Sequence, residues 1–128
     1  MQQLRVEYTK YKQRPLTQRK AECAQVVARH PDKLPILLTS TPSLDHHGKA
    51  GTTRPKIKYL VATTMTFAQL MVVIRSRFPA LPSDMALFMM VHSELPSMMC
   101  HIVDFKSYAD QDGFLTVTIL TENAFGLV

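Results

Sequence analysis

Three places along this 128-residue chain carry residue types that could do chemistry. Asp45, His46 and His47 are metal-ligand types, but three consecutive residues converge on one ion only where a fixed fold bends them around it, so a metal site is not expected. Asp110-Gln111-Asp112-Gly113 looks briefly like the opening of a calcium loop. With Gly113 set on that loop's glycine, however, Tyr108 falls at the first ligand position and Ile119 at the bidentate one, and a short turn into a strand is the better reading. Cys23 could be a nucleophile only beside a positioned base, which no neighbour supplies, so it reads as a small residue packed on a helix. There is no glycine-rich phosphate loop: Gly48, Gly51 and Gly113 fall in loops or turns, and the remaining glycine is Gly126. No catalytic residue, metal or cofactor is expected, and the chain does not read as an enzyme.

Charge points instead to a docking surface. The net charge of +5 divides unevenly: residues 1–58 hold twelve Lys or Arg against four Asp or Glu, and residues 59–128 hold three against six. The basic half is the expected side for an acidic partner. Nucleic acid is not expected, because no zinc-finger spacing, RNP-type aromatic motif or compact Lys/Arg block is present. Two cysteines, Cys23 and Cys100, cannot form a disulfide framework and fit a reducing compartment. The first residues carry no apolar segment of the secretory type, and the longest apolar run, Met85 to Val91, is far short of the roughly 20 residues of a membrane span. A cytoplasmic protein is expected.

The elements that would position such a surface follow from pattern. The length fits a single domain, 1–128. A short helix within Gln2 to Lys12 precedes a helix opened by Arg14-Pro15-Leu16-Thr17 and ended by Pro31. Leu34-Pro35-Ile36-Leu37-Leu38-Thr39 predicts a strand whose proline argues for an edge or a strand start. Thr39 to Pro55 predicts a long, mobile loop, and Lys56 to Val61 a second strand. Thr66-Phe67-Ala68-Gln69 has the form of a capping box and starts a helix in which Phe67, Leu70, Val73, Ile74 and Phe78 recur at helical spacing before Pro79. Ala86 to Val91 and Phe114 to Leu120 predict strands, with a short helix within Ser97 to Tyr108. The order predicts an α+β fold of the ubiquitin-like β-grasp type: a four-stranded mixed sheet (31–121) with a crossing helix, an N-terminal helical extension (1–30) and a flexible C-terminal tail (122–128).

Several segments, weak singly and specific in their order and spacing, carry a resemblance. They are Arg19-Lys20-Ala21-Glu22, Pro31 through Ile36, Lys58-Tyr59-Leu60-Val61, Thr66 to Arg77, Ala86-Leu87-Phe88, Asp112-Gly113-Phe114-Leu115 and Glu122 through Gly126. From Gln18 to Gly126 the chain resembles the autophagy-related protein 8 family of ubiquitin-like modifiers. The resemblance implies a precursor trimmed by a cysteine protease after Gly126, losing Leu127-Val128. E1-like and E2-like enzymes would then join Gly126 to phosphatidylethanolamine on autophagosome membranes. A glycine suits that role because, lacking a Cβ, it can thread narrow enzyme channels and leaves its carboxyl carbon open to attack.

The resemblance also implies recruitment of cargo receptors through aromatic-x-x-aliphatic motifs, which add as a strand to a sheet edge. The first pocket would involve Glu22, Val26, Pro35, Leu37, Lys58, Leu60 and Phe114, and the second Tyr59, Val61, Met65, Leu70 and Val73. Lys33, Lys56, Lys58 and Arg77 would meet acidic residues of the motif. Against the family pattern, Ala62 stands where proline is common and Leu70 where an aromatic is usual, both beside the second pocket. The alternative reading is a β-grasp interaction module that is never conjugated.

Overall fold

The computed structural model describes residues 1–47 and 54–122. Helix α1 spans Gln2–Lys12, where Leu4, Tyr8 and Tyr11 recur at i, i+4 and i+7 and turn one stripe inward; Leu4 and Tyr11 are buried. Pro15 starts helix α2, Leu16–Arg29, whose one buried residue is Cys23. Most of α2 therefore faces water and is held by few points. Strand β1 (Lys33–Ser40) leads into a single 3-10 turn at Pro42–Leu44, and strand β2 is Lys58–Ala62. Helix α3, Phe67–Arg77, begins with the capping box expected of Thr66 and Gln69: the Gln69 amide donates to Thr66 Oγ1 at 3.2 Å, and the Thr66 amide to Gln69 Oε1 at 2.9 Å. Strand β3 (Leu87–Met90), a 3-10 segment (Ile102–Tyr108) and strand β4 (Leu115–Thr121) complete the described fold.

The sheet order is β2-β1-β4-β3. Strand β1 runs antiparallel to β2 and parallel to β4, and β4 antiparallel to β3. This is the four-stranded mixed sheet expected, with α3 crossing between β2 and β3. Alternate residues of β1 serve opposite faces. Leu34, Ile36 and Leu38 join the main core with Phe67, Leu70 and Ile74 of α3, while Leu37 joins a smaller cluster with Tyr11, Cys23 and Phe114. With both faces covered, an uninterrupted apolar run is what β1 requires.

One expectation needs correction and one alternative is decided. Strand β1 is interior to the sheet, and of the edge or strand start that its proline argues for, the start is what is found: Pro35 is the third residue of β1. The proline is tolerated because pairing with β4 begins one residue later, at Ile36 opposite Leu115, so Pro35 interrupts no registered pair with β4. The segment expected to be a mobile loop is packed through residue 47: Leu44 is wholly buried, the Thr41 amide donates to the Ile119 carbonyl at 3.0 Å, and Asp45 is ion-paired to Arg5. Residues 48–53 lie outside the described residues.

A buried carboxylate fastens the helical extension to the sheet. The Asp112 side chain is fully buried, and its Oδ2 accepts from Lys12 Nζ of α1 at 2.9 Å and from Arg19 Nη1 of α2 at 2.7 Å. Its Oδ1 accepts the Phe114 amide at 3.0 Å. Burial alone would raise the Asp112 pKa, but these donors outweigh it and hold the carboxyl below its ordinary range. Next to it, Gly113 has φ +96°, and a Cβ there would stand 2.8 Å from the Cys23 sulfur, so both the turn and the seating of α2 require glycine.

Two predictions follow from this clamp. Because the folded pKa of Asp112 lies below the unfolded value of about 3.9, its stabilisation is complete well above that pH and disappears as pH falls through the depressed folded value. Urea denaturation at pH 7 should therefore find Asp112→Asn less stable by about 2–3 kcal/mol, the loss of two charge-assisted bonds, with the gap closing toward pH 3. Gly113→Ala should lose about 1–3 kcal/mol from backbone strain alone, measured the same way.

Candidate functional site

Among the described residues, the outer edge of β2 pairs with no other strand. Its backbone amides and carbonyls are available to an added strand. Along this edge Lys58 and Leu60 point to one face of the sheet and Tyr59 and Val61 to the other, so one short strand serves two surfaces. Leu60 is 38% exposed while Tyr59 and Val61 are buried, which makes Leu60 the apolar side chain a visitor meets first.

On the Leu60 face, α2 and β2 are tied together. Lys58 Nζ donates to Glu22 Oε1 at 2.6 Å, the Tyr11 hydroxyl donates to Glu22 Oε2 at 2.7 Å, and Arg14 Nη1 lies 3.9 Å from that carboxylate. Burial pushes the Glu22 carboxyl upward, but Lys58 and Tyr11 overcome it and hold the pKa low. Burial and the bond to Glu22 push the Tyr11 hydroxyl far above its usual range, so it donates at any physiological pH. Tyr11 also meets Phe114 edge-on, with ring centroids 5.9 Å apart, and Lys58 Nζ stands 4.2 Å from the Tyr11 ring centroid. Val26 is half-buried one turn beyond Glu22, and Pro35 pairs with Leu60. Of the first set of predicted residues, Glu22, Val26, Lys58 and Leu60 are reachable, and buried Leu37 and Phe114 form the wall behind them.

On the opposite face Tyr59, Val61 and Leu70 belong to the main core, with Met65 and Val73 half-buried against it. Burial raises the Tyr59 hydroxyl pKa and the Arg77 charge opposes it, which sets the end of α3 within electrostatic reach of β2. Lys56 Nζ lies 5.1 Å from the Tyr59 ring centroid. Lys33 is exposed at the start of β1, opposite Ala62. The two predicted sets therefore flank β2 on its two faces. Gly126 and the segment from residue 123 onward lie outside the described residues.

Beside the first set a cleft of about 560 Å³ opens between α1 and the approach to β2, lined by Glu7, Lys10, Tyr11, Arg14, Arg54, Lys56, Ile57 and Lys58. Sequence reading missed the roles of Tyr11, Lys10, Arg14 and Arg54. The stripe of Leu4, Tyr8 and Tyr11 was the available signal for Tyr11; only the fold brings Arg54 to α1. No group of three His, Cys, Asp or Glu that could hold a metal occurs among the described residues. Burial, with the charges of Asp112 and Glu22, pushes the Cys23 thiol upward, away from nucleophilic chemistry. No helix among them is long and apolar enough to cross a membrane.

A family model described as autophagy protein Atg8, ubiquitin-like, matches residues 18–126. Autophagy-related protein 8c of Arabidopsis thaliana is 34% identical over 122 residues, covering 89% of this chain and 92% of that protein. Autophagy-related protein 8 of Pichia angusta is 34% identical over 120 residues, covering 88% and 86%. The crystal structure of Trypanosoma brucei ATG8 superposes with a TM-score of 0.71 at 28% identity, covering 87% of this chain and 91% of that one.

The polar bridge over the first surface is testable without a ligand. Tyr11→Phe should raise the Glu22 carboxyl pKa toward its ordinary value and cost about 1 kcal/mol of stability, read by side-chain carboxyl NMR titration and urea denaturation. An unshifted Glu22 titration would mean that Lys58 and Arg14 hold the carboxylate without Tyr11.

Proposed function

The chain belongs to the Atg8 family of ubiquitin-like autophagy proteins, and we propose that it acts as a conjugatable modifier and adaptor. Proteins of this family are modifiers, not enzymes; the chemistry is done to them. In this reading a cysteine protease hydrolyses the Gly126–Leu127 peptide bond and frees the Gly126 carboxylate. An E1-like enzyme adenylates that carboxylate with ATP, a thioester passes to an E2-like enzyme, and the amine of phosphatidylethanolamine displaces the thiol to form an amide. Support comes from the Glu122 to Gly126 segment and from a family match that runs through residue 126. Cytoplasmic protein would thereby move to the autophagosome membrane.

The observation that carries the adaptor half is the open edge of β2, with exposed Leu60 beside the Lys58–Glu22 bridge. An aromatic-x-x-aliphatic segment adding to this edge would send its aromatic toward Glu22, Val26, Pro35, Leu37, Lys58, Leu60 and Phe114. Its aliphatic residue would go toward Tyr59, Val61, Met65, Leu70 and Val73. Because Leu70 is wholly buried and Met65 and Val73 are half-buried, contact on that second side falls first to Met65 and Val73. Lys33, Lys56, Lys58 and Arg77 would attract acidic residues flanking the motif.

Incubation with the family's processing protease should shorten the chain by Leu127-Val128, read by intact mass. Gly126→Ala should stay in the supernatant when wild-type protein is pelleted with vesicles after reconstituted conjugation. A mass that does not change would leave the non-conjugated interaction module as the better reading. In calorimetric titration, Lys56→Glu with Lys58→Glu should weaken an acidic aromatic-x-x-aliphatic peptide roughly tenfold or more; equal affinity would remove the proposed groove.

A further inference from the structure

From the basic cleft between α1 and β2 we infer a site for a compact polyphosphate, a small polyol bearing clustered phosphates, beside the strand-addition edge and sharing Lys56 and Lys58 with it. Five cations line the 560 Å³ cleft: Lys10 and Arg14 from the N-terminal helical region, and Arg54, Lys56 and Lys58 from the run into β2. Two carboxylates meet them among the described residues. Glu7 lies 3.9 Å from Lys10 and 3.7 Å from Arg54, and Glu22 meets Lys58 at 2.6 Å and Arg14 at 3.9 Å. The excess is about three positive charges in one concavity.

Two of them are also held in place: Arg14 and Lys58 lie 5.5 and 4.2 Å from the Tyr11 ring centroid. Less side-chain freedom is then lost when an anion arrives. Two guanidinium forks suit phosphate oxygens, which accept paired donors. An extended peptide spaces its same-face side chains roughly 7 Å apart and would bring acidic groups singly. Cations converging from two segments on one rounded volume match instead an anion that is itself multivalent and compact. Lys56 and Lys58 are shared with the proposed motif groove, so an occupied cleft would oppose peptides with acidic flanks and leave uncharged motif peptides alone.

The test uses the full 128-residue chain and myo-inositol hexakisphosphate in calorimetric titration. Saturable 1:1 binding that weakens with added salt is expected. Lys10 and Arg54 are 62% and 80% exposed, so Lys10→Glu with Arg54→Glu should fold normally. That variant should bind roughly tenfold or more weakly. It should still bind a motif peptide without acidic flanks as the wild type does, which separates failure of this site from failure of the groove. Arg29→Glu with Lys106→Glu makes the same change of charge outside the cleft and should leave binding intact. Absent binding, or equal weakening by the two double variants, would overturn the site in favour of diffuse attraction. Vesicles with and without phosphatidylinositol 4,5-bisphosphate identify the source. Capture reversed by the hexakisphosphate would mark a lipid headgroup, and hexakisphosphate binding without capture would mark a soluble effector. Capture without hexakisphosphate binding would overturn the proposal.

Discussion

A carboxylate taken out of water must be given donors or it will take a proton, and Asp112 is given three: an ammonium, a guanidinium and a backbone amide. Each comes from a different element, α1, α2 and the turn into β4, so the charge is satisfied only when all three are in place. Helix α2 buries little apolar surface and gains its position from this requirement and from the contact of Cys23 on Gly113. The surface that faces the β2 edge from α2, with Glu22 and Val26, is therefore set by an interaction one to two turns back along the same helix face, at Arg19. The grip on Asp112 and the geometry beside Leu60 are two ends of one rigid arrangement.

The central strand couples the rest. Strand β1 has helices α1 and α2 on one face, α3 on the other, β2 along one side and β4 along the other. Its eight residues leave one exposed position, Lys33. Strand β2, by contrast, has one partner strand among the described residues and a side that pairs with none of them, and this asymmetry makes the edge usable. The burial of Tyr59 and Val61 beneath α3 and the exposure of Leu60 follow from period-two alternation on a strand five residues long.

Much of this was legible in the residues. The capping box at Thr66 and Gln69 names its own partners, and the β-rich run before Leu120 has no other period. The turn at Asp110–Gly113 was readable because a calcium loop would have put Tyr108 and Ile119 where carboxylates belong. What escaped had causes at long range. Pro35 argues for an edge or a strand start, and the choice between them depends on where the strand's partners begin, which local pattern does not encode. Residues 41–47 lack periodicity, yet Arg5 and the core beneath Leu44 hold them. Asp112 is 100 positions from Lys12 and 93 from Arg19 in sequence, and their convergence is a property of topology. The residues proposed for motif binding come from resemblance; periodicity alone places Leu70 and Val73 in the core and stops there.

The placement of the final strand has a consequence for how the molecule is made. Strand β4 is an interior strand, and among the described residues β3 pairs with β4 alone. Until residues 115–121 have emerged from the ribosome, the sheet lacks its spine and the long-range parallel pairing cannot close. Helices α1 and α2, strands β1 to β3 and helix α3 must therefore all wait, unpaired or partly paired, for one strand made after them.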